Sequence, residues 1–528
     1  MKQLFLFFTF FIFGTSFSQE HAWVYFNDKP NEATYLANPL TMLSQRALDR
    51  RTKQNISLDF KDVPLATLYI NQVNAQNGIE VKAESKWLNA VHVIGSIDAI
   101  NDLLALSFVA SVEFAASDLN AKNNTYQKQT SKFDVLTDYN YGDSANQAEL
   151  MHVEFLHQQN FTGEGLHIAV IDAGFPNVDT FSAFDKIRDN NQILGGYDYV
   201  NRDANFYAGH RHGTSVLSTI AGFVDGELIG TAPDASFYLF ITEDIASETP
   251  LEESLWVEAV ERADYLGVDI INTSLGYQAF DESKYNHTYQ EMDGNTLFVT
   301  RAANIAVSKG MILCISAGNS GNSIDFNNIG APGIATNAMT IGAIDSNNNI
   351  ASFSSYGPSS NGDIKPTVNA KGAQATVINS AGNVSTGNGT SYASPIMTGA
   401  IASFWQAFPN KTNLEIMQMV TQSAHLYLQP TDHAGYGTPN FKKAYDTELN
   451  FDGIVIYPNP VNDIVNFRLQ SDYKNSTVNV FDMLGKHLKE YNINTVAPLN
   501  LSNFEKGVYV LHFETTTGLS KTIKIIKN

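Results

Sequence analysis

Short apolar runs alternate with longer amphipathic stretches through the middle of the chain, over residues 141–447. Apolar runs with the length of buried strands lie at Leu166–Ile171, Ser236–Ile241, Val268–Asn272 and Met311–Ile315. Apolar residues recur with helical spacing at Val216–Gly222, Leu251–Leu266 and Thr390–Phe408. This alternation predicts a parallel sheet covered by helices. Because such sheets bind ligands at the carboxyl ends of their strands, functional residues are expected just after the strands.

The regions on either side follow other patterns. Residues 19–118 mix strand-like runs with helix-like ones, which predicts a small α+β domain. The predicted strands are Ala22–Phe26, Ala90–Val93 and Ser111–Phe114, and the predicted helices are Asn38–Arg50 and Ile97–Leu106. Residues 119–140 are polar and are interpreted as a linker. Residues 453–528 show period-two alternation between Gly and Asn turns, which predicts a separate β-sandwich-like domain: Val461–Leu469, Thr477–Phe481, Val508–Phe513 and Lys521–Ile526.

The first residues are typical of a secretory signal peptide. Lys2 precedes an apolar stretch from Leu4 to Phe13, and the small residues Ser16 and Ser18 follow it. The stretch is too short to span a bilayer, so a signal peptide over residues 1–18 is favoured over a membrane anchor. No other apolar run is long enough for a transmembrane segment.

Composition and charge narrow the possible partners. The net charge of the 528 residues is −21, which argues against a nucleic-acid partner because phosphates would be repelled. Cys314 is the only cysteine, so no intrachain disulfide exists. It lies in an apolar run without a nearby histidine motif, and we expect it to pack as a small hydrophobic residue.

Two polar residues stand where the predicted sheet would place a site. Asp172 closes the first buried strand, where a buried carboxylate needs a cationic or hydrogen-bonding partner to stay charged. An aspartate that caps the next turn is an equally valid interpretation. His212, in Gly209–Val216, lies where a helix begins and can face a cleft. His210 and His212 have the spacing of a metal-ligand pair, but no further cluster completes such a site, and a solvated histidine is the remaining alternative.

Ser391 and Asn319 are further candidates. Ser391 precedes a helical pattern, where a serine is either an N-cap or a hydroxyl beside free amides that favour a developing oxyanion. Asn319 follows the strand Met311–Ile315, where its amide is either part of a turn or a donor to a tetrahedral oxygen. Substrate-binding candidates after two strands are Ser274, Leu275 and Gly276, an extended segment for strand addition, and Ser316, Ala317 and Gly318.

Taken together, four blocks carry a family resemblance. Asp-x-Gly, His-Gly-Thr, Ala-Gly-Asn and Gly-Thr-Ser-x-Ala-x-Pro occur in that order and resemble the subtilisin family of serine proteases, over roughly residues 141–446. The implied fold class is α/β: a subtilisin-like parallel sheet flanked by helices, with a small N-terminal α+β propeptide and a C-terminal β-sandwich domain. The nucleophile elbow of α/β-hydrolases is disfavoured, because Ala393 replaces its last glycine and its Asp and His would follow the serine.

The resemblance implies roles for these residues. Ser391 would attack a peptide carbonyl, His212 would take its proton, and Asp172 would orient His212. Asn319 and the Ser391 amide would bind the oxyanion. Ala173 and Ser215 depart from the family pattern beside the triad, which puts specificity and rate in doubt more than mechanism. Residues 277–298 look like a polar insertion near the substrate segment.

The flanking regions also resemble known domains. The N-terminal region is similar, by position and α+β pattern, to the inhibitory propeptide of such proteases, with an accessory binding domain as the alternative. The C-terminal region, with Tyr457-Pro458-Asn459-Pro460 and Gly507–Leu511, resembles the sorting domain of the bacterial type IX secretion system. A solvated edge strand would equally explain its basic tail. The implied location is outside the cell or on its surface, reached through the periplasm and outer membrane of a Gram-negative bacterium.

These inferences favour a secreted serine endopeptidase acting on protein or peptide substrates, with its own propeptide and the type IX machinery as partners. The alternative is a catalytically weak or inactive subtilisin-like adhesin. No cofactor is expected. Structural calcium is possible in this family, but no complete loop of oxygen ligands can be assigned in the sequence.

Overall fold

The computed structural model describes residues 19–119, 139–324, 326–449, 454–457, 459–469, 476–493, 498–515 and 518–527. The predicted signal peptide and most of the predicted linker lie outside these residues. The chain divides into two compact units, Met1–Ala444 and Tyr445–Asn528. None of the helices within the described ranges is long and apolar enough to cross a bilayer.

The N-terminal part of the first unit is a four-stranded antiparallel sheet with short helices. Its strands, in the order β2-β3-β1-β4, are β1 (Glu20–Phe26), β2 (Ile79–Ser85), β3 (Ala90–Gly95) and β4 (Val109–Phe114). Its helices are α1 (Glu32–Ala37), α2 (Gln45–Lys53), α3 (Thr67–Asn74) and α4 (Ile97–Asp102). The predicted α+β pattern is confirmed, but the single helix predicted over Asn38–Arg50 is wrong. The Ser44 hydroxyl accepts the Ala47 N–H and starts α2 only at Gln45.

The larger part of the first unit is built on a parallel sheet. Its strands, in the order β13-β12-β11-β10-β5-β9-β6, are β5 (His167–Asp172), β6 (Ile193–Asp198), β9 (Ser236–Ile241), β10 (Ile270–Thr273), β11 (Ile312–Ser316), β12 (Met339–Ile344) and β13 (Val368–Lys371). Two antiparallel hairpins lie outside the sheet, formed by β7 (Phe223–Val224) with β8 (Leu228–Ile229), and by β14 (Ala375–Ile378) with β15 (Val384–Gly387).

Helices cover this sheet, as the sequence predicts. They are α5 (Ala145–Glu149), α6 (Val153–Gln158), α7 (Asp185–Asp189), α8 (His212–Ala221), α9 (Pro250–Leu266), α10 (Phe298–Ser308), α11 (Thr390–Gln406), α12 (Asn413–Ser423) and α13 (Phe441–Leu449). Residues Ile168 to Asp172 of β5 are buried, as is nearly all of α8 and α11, so the site elements belong to the core. Cys314 is buried in β11, where burial raises the pKa of its thiol to about 12, so its predicted hydrophobic packing is confirmed.

The N-terminal sheet packs against helices α9 and α10 of the larger part. Trp23 of β1 donates its indole N–H to the Ser254 hydroxyl at 2.8 Å, and its ring stacks on Phe298 with ring centroids 4.5 Å apart. Arg301 of α10 forms an ion pair with Glu113 of β4 at 2.7 Å. An aromatic stack together with directional polar contacts fixes how the two parts are oriented.

The second unit consists of two antiparallel sheets. One has the order β16-β17-β20, from β16 (Ile454–Tyr457), β17 (Ile464–Leu469) and β20 (Leu499–Asn500). The other has the order β19-β18-β21-β22, from β18 (Ser476–Asp482), β19 (His487–Ile493), β21 (Gly507–Thr515) and β22 (Ser520–Lys527). Side chains such as Val465, Val480 and Phe513 form one core from both sheets. The predicted strand-rich C-terminal region is confirmed.

Candidate active site

Asp172 and His212 meet at the carboxyl edge of the sheet. Asp172 is the last residue of β5 and is fully buried, whereas His212 is the first residue of α8 and is half-buried. His212 Nδ1 lies 2.7 Å from Asp172 Oδ1, which also accepts the Ala173 N–H at 2.8 Å. Because a carboxylate only accepts hydrogen bonds, it fixes the proton on Nδ1. The Nε2 atom of neutral His212 is therefore left as an acceptor.

Gly213 allows this close approach of helix to strand. A Cβ atom at Gly213 would lie 2.4 Å from the Gly174 carbonyl oxygen and 2.9 Å from the Cβ of Asp172. Any larger residue would push the start of α8 away from β5. Gly213, the glycine of the His-Gly-Thr block, thus makes room for the strand that carries the carboxylate.

The charge of Asp172 controls the protonation of His212. It raises the pKa of His212 above the ordinary value of 6.5, while burial of the ring acts in the opposite direction. The positive charge of Arg211 also lowers the pKa of His212, whereas the carboxylate of Glu243 raises it further. The pair therefore gives a histidine that is a stronger base than a free imidazole.

Ser391 lies in the first turn of α11, the helix that packs against α8. It follows Gly389, whose φ of +153° lies in a region that favours glycine. The Ser391 hydroxyl donates to the Ser274 carbonyl at 3.2 Å, and the Ser274 hydroxyl donates back to the Ser391 carbonyl at 2.9 Å. No hydrogen bond between the described atoms of Ser391 and His212 is present. Hydrogen bonds of this kind often form only in the substrate complex, because the hydroxyl rotates freely.

Asn319 is oriented by the start of the same helix. Its Oδ1 accepts the Thr390 N–H at 2.8 Å and the Thr390 hydroxyl at 3.1 Å. These two bonds distinguish the oxygen from the nitrogen of the amide, and leave the Nδ2 group of an exposed residue as a donor. The Gly318 N–H donates to the same Thr390 hydroxyl at 3.0 Å. Thr390, to which the sequence assigned no role, therefore connects Asn319 and Gly318 to the helix of Ser391.

The predicted substrate-binding segments leave neighbouring strands at this edge. Residues 274–276 follow β10 outside any regular element, with Ser274 buried, Leu275 half-buried and Gly276 exposed. Ser316 ends β11, and Ala317 donates its N–H to the Ile341 carbonyl at 3.0 Å. The structure thus brings Ser274 and Gly318 to the helix of Ser391 through direct hydrogen bonds. Peptide binding by either segment stays a prediction.

A buried polar network beneath the site was not anticipated. Asn272 of β10 donates to the Ser274 hydroxyl at 3.1 Å, and its Oδ1 accepts the hydroxyls of Ser394 at 3.0 Å and Thr398 at 3.1 Å. These bonds hold β10 against α11. The available signal was an asparagine inside an otherwise apolar strand, since buried polar groups need partners.

Metal ligation has no candidate in the parts of the chain that the structure describes. No group of three or more His, Cys, Asp or Glu side chains there is placed to hold a metal ion. His210 and His212 are not joined by further ligands in that region. Calcium binding stays a prediction.

Models of known families match three parts of the chain. The sequence model of the subtilase family matches residues 163–445, more than half of the chain. The chain belongs to the subtilase family. A model of the peptidase S8 propeptide domain of Bacteroidota matches residues 21–132, and a model of the secretion system C-terminal sorting domain matches residues 455–528.

Individual subtilases are similar over the same region. Subtilisin NAT of Bacillus subtilis subsp. natto is 30% identical over 292 residues, which cover 55% of this chain and 68% of the relative. Alkaline elastase YaB of Bacillus sp. (strain YaB) is 26% identical over 398 residues, covering 74% and 91%. Serine protease AprX of Bacillus subtilis (strain 168) is 29% identical over 308 residues, covering 53% and 65%. This subtilase is therefore a subtilisin-like serine endopeptidase with a propeptide domain and a type IX sorting domain, which indicates secretion or surface attachment.

Proposed function

We propose that this subtilase cleaves peptide bonds in proteins outside the cell, with Ser391 as nucleophile, His212 as its base and Asp172 orienting that base. The supporting observation is the 2.7 Å contact that fixes the His212 proton on Nδ1, with Ser391 in the first turn of the neighbouring helix. This arrangement leaves Nε2 to accept the proton of the serine hydroxyl.

The proposed reaction has two halves. The Ser391 oxygen attacks the peptide carbonyl while His212 takes its proton, and the carbonyl oxygen becomes negatively charged. The Asn319 Nδ2 group and the Ser391 backbone N–H stabilise that oxygen. His212 then protonates the leaving amine as the C–N bond breaks. Water, deprotonated by His212, attacks the resulting ester, and His212 returns the proton to the Ser391 oxygen as the acid is released. Asp172 stabilises the imidazolium in each half.

The N-terminal domain is proposed to inhibit the enzyme until it is removed. Its packing on α9 and α10 through Trp23 supports a domain that folds together with the peptidase part. Cleavage is proposed within residues 117–142, of which 120–138 lie outside the described residues. The C-terminal domain is proposed to direct passage over the outer membrane after export to the periplasm.

A serine-directed fluorophosphonate tests the assignment. The processed enzyme is expected to form one adduct, located at Ser391 by mass spectrometry, and to lose caseinolysis as labelling proceeds. Ser391→Ala is expected to abolish both, whereas the control Ser360→Ala, at a surface serine that bonds the Gln290 carbonyl, leaves both unchanged. A processed protein that binds casein but forms no adduct would establish the adhesin alternative instead.

A further inference from the structure

A polar cavity of about 360 Å³ adjoins the catalytic residues. It lies between the start of α8, the β14–β15 hairpin and the start of α11. Its lining includes Arg211, Ser215, Asn379, Ser385, Thr386 and Tyr392. Arg211 directly precedes His212, and Tyr392 directly follows Ser391. The cavity is therefore one residue away from both the base and the nucleophile.

The cavity lies away from the two predicted substrate-binding segments. Neither residues 274–276 nor residues 316–318 line it. The ring of Tyr392 lines the cavity, with its centroid 6.2 Å from that of His212, and a Cβ atom at Gly387 would lie 2.5 Å from this ring. A peptide that bound along residues 274–276 to Ser391 and continued past the side chain of Tyr392 would reach this cavity. Given the proposed function, this is the side of the leaving group.

Arg211 is an uncompensated cation in this cavity. It is exposed, and within the described part of the chain it has neither an ion pair nor a side-chain hydrogen bond. The other residues lining the cavity carry no formal charge at neutral pH. In a chain with a net charge of −21, an unpaired arginine beside the catalytic base is unusual. A guanidinium group presents a fork of donors that matches a carboxylate.

Asn379 supplies a second donor. Its Oδ1 accepts the N–H groups of Ala381 at 2.9 Å and Asn383 at 3.2 Å, which leaves its Nδ2 group for a ligand. Ser215, by contrast, already donates to the Ile378 carbonyl at 2.7 Å. The cavity thus offers a fixed amide donor together with the Arg211 cation.

We propose that this cavity binds a carboxylate on the leaving-group side of the cleaved bond, with Arg211 as the residue that determines this preference. The inference rests on the proposed function and extends it to a substrate class. The carboxylate is either an acidic side chain in the first two residues after the cleaved bond or the C-terminal carboxylate of a short leaving peptide. Both sources present the same planar anion to the guanidinium.

Internally quenched peptides with one common acyl half test the proposal. The two peptides of the first pair end in an amide and differ after the cleaved bond, where one carries Asp and the other Asn. The two peptides of the second pair both carry Asn there and differ at the C-terminus, which is a free carboxylate in one and an amide in the other. We expect the wild-type enzyme to cleave at least one acidic member about tenfold faster in kcat/KM, equivalent to about 1.4 kcal/mol. The pair that shows the ratio identifies the source of the carboxylate.

Charge variants distinguish an effect of Arg211 in the cavity from an effect of the overall electrostatic field of the protein. Arg211→Gln is expected to bring the ratio to about one, and Arg211→Lys to keep part of it, because an ammonium attracts a carboxylate without the fork. Arg262→Gln removes the same charge from the exposed face of α9, where Arg262 lies 4.6 Å from the Tyr265 ring centroid, and should leave the ratio unchanged. Active enzyme is counted by fluorophosphonate labelling, so that a folding defect does not imitate lost preference.

A peptide nitroanilide distinguishes failure of the proposed carboxylate site from failure of the proposed peptidase function. It shares the acyl half but has no residue on the leaving-group side, so any change that Arg211→Gln makes to its cleavage reports the loss of a positive charge beside His212 and not the loss of carboxylate binding. Wild-type ratios of one in both pairs, or equal losses in Arg211→Gln and Arg262→Gln, would refute the carboxylate site while nitroanilide cleavage persists. If the wild-type enzyme cleaves no substrate at all, the proposed function fails and this inference fails with it.

Discussion

A buried ionic network joins helix α2 to the amino-terminal edge of the parallel sheet, and it permits a quantitative prediction. Arg51 donates to Asp62 at 2.7 Å and to Asp264 at 2.9 Å, and Arg50 also pairs with Asp264. Lys309 pairs with Asp62 at 3.0 Å. The arginines and Asp62 belong to the N-terminal domain, whereas Asp264 and Lys309 precede β10 and β11. The network thus lies at the edge of the sheet opposite Asp172 and His212.

Replacing Arg51 with Met should destabilise this contact strongly. The Arg51 side chain is 2% exposed and Asp264 is fully buried, so the substitution leaves carboxylates short of a partner where water cannot replace it. Removal of one member of a buried pair costs about 3–5 kcal/mol. Because Arg50 and Lys309 remain, we expect the lower end, about 3 kcal/mol, or about a hundredfold in the equilibrium constant.

Urea unfolding of the full chain measures this cost, with Ser391→Ala present to prevent self-cleavage. Arg51→Met should lower the midpoint followed by tryptophan fluorescence, since Trp23 lies in the contact between the two parts. Lys53→Met is the matched control, because it removes an exposed cation from the same helix. Equal midpoints for the two variants would refute the claim that the network holds the domains together.

The network also has a predictable acid limit. Burial alone would raise the pKa of Asp264, but Arg51 and Arg50 outweigh it and hold that pKa below the ordinary value of 3.8. The stability contributed by this lowered pKa is therefore complete at pH values above 3.8 and is lost as the pH falls through the pKa of the folded state.

Three further predictions concern the site and the domain contact. Asn319→Ala should lower kcat about 10²- to 10³-fold, measured on a peptide substrate, because one oxyanion donor is lost. Asp172→Asn should move the acid limb of the kcat/KM profile to lower pH, because Asp172 raises the pKa of His212 and activity needs the neutral ring. Burial lowers the pKa of His21 to about 4 and of its partner His92 well below 6.5. Acidification from pH 6.5 towards 4 should therefore loosen the N-terminal domain in urea unfolding, and less so in His92→Gln.

Strands β5, β9, β10 and β11 could be predicted from the sequence because each overlaps a short run of mostly apolar residues. The prediction Ser236–Ile241 has the bounds of β9, and those for β5, β10 and β11 differ by one or two residues at their ends. The edge strand β6 was missed, because Ile193–Asp198 contains two glycines and is mostly half-buried, so it lacks a continuous apolar run. In the second unit, β19 was missed for a related reason, since the described side chains of residues 487–492 are mostly exposed and the strand is strongly polar.

The site was predictable as a set of residues and not as a set of contacts. The order of the four blocks identifies Asp172, His212, Asn319 and Ser391, and strand ends bring such residues to one edge. The bonds that orient Asn319 come from Thr390, more than seventy residues later. Such contacts depend on how separate loops fold onto one another, which a local pattern does not encode. The unpaired state of Arg211 was equally hidden, because it follows from where every carboxylate lies.

The polar insertion after β10 shows why the function of a segment is harder to predict than its position. The sequence places residues 277–298 beside the substrate segment, and at one end Tyr277 does donate to Glu243 at 2.7 Å, a carboxylate whose charge reaches His212. Further along, Lys284 pairs with Glu20 at 2.8 Å and Tyr285 donates to the same carboxylate at 3.1 Å. The insertion therefore contacts both the surroundings of the site and the N-terminal domain. Its polarity is explained in part by that second contact, so polarity alone is not evidence for substrate binding.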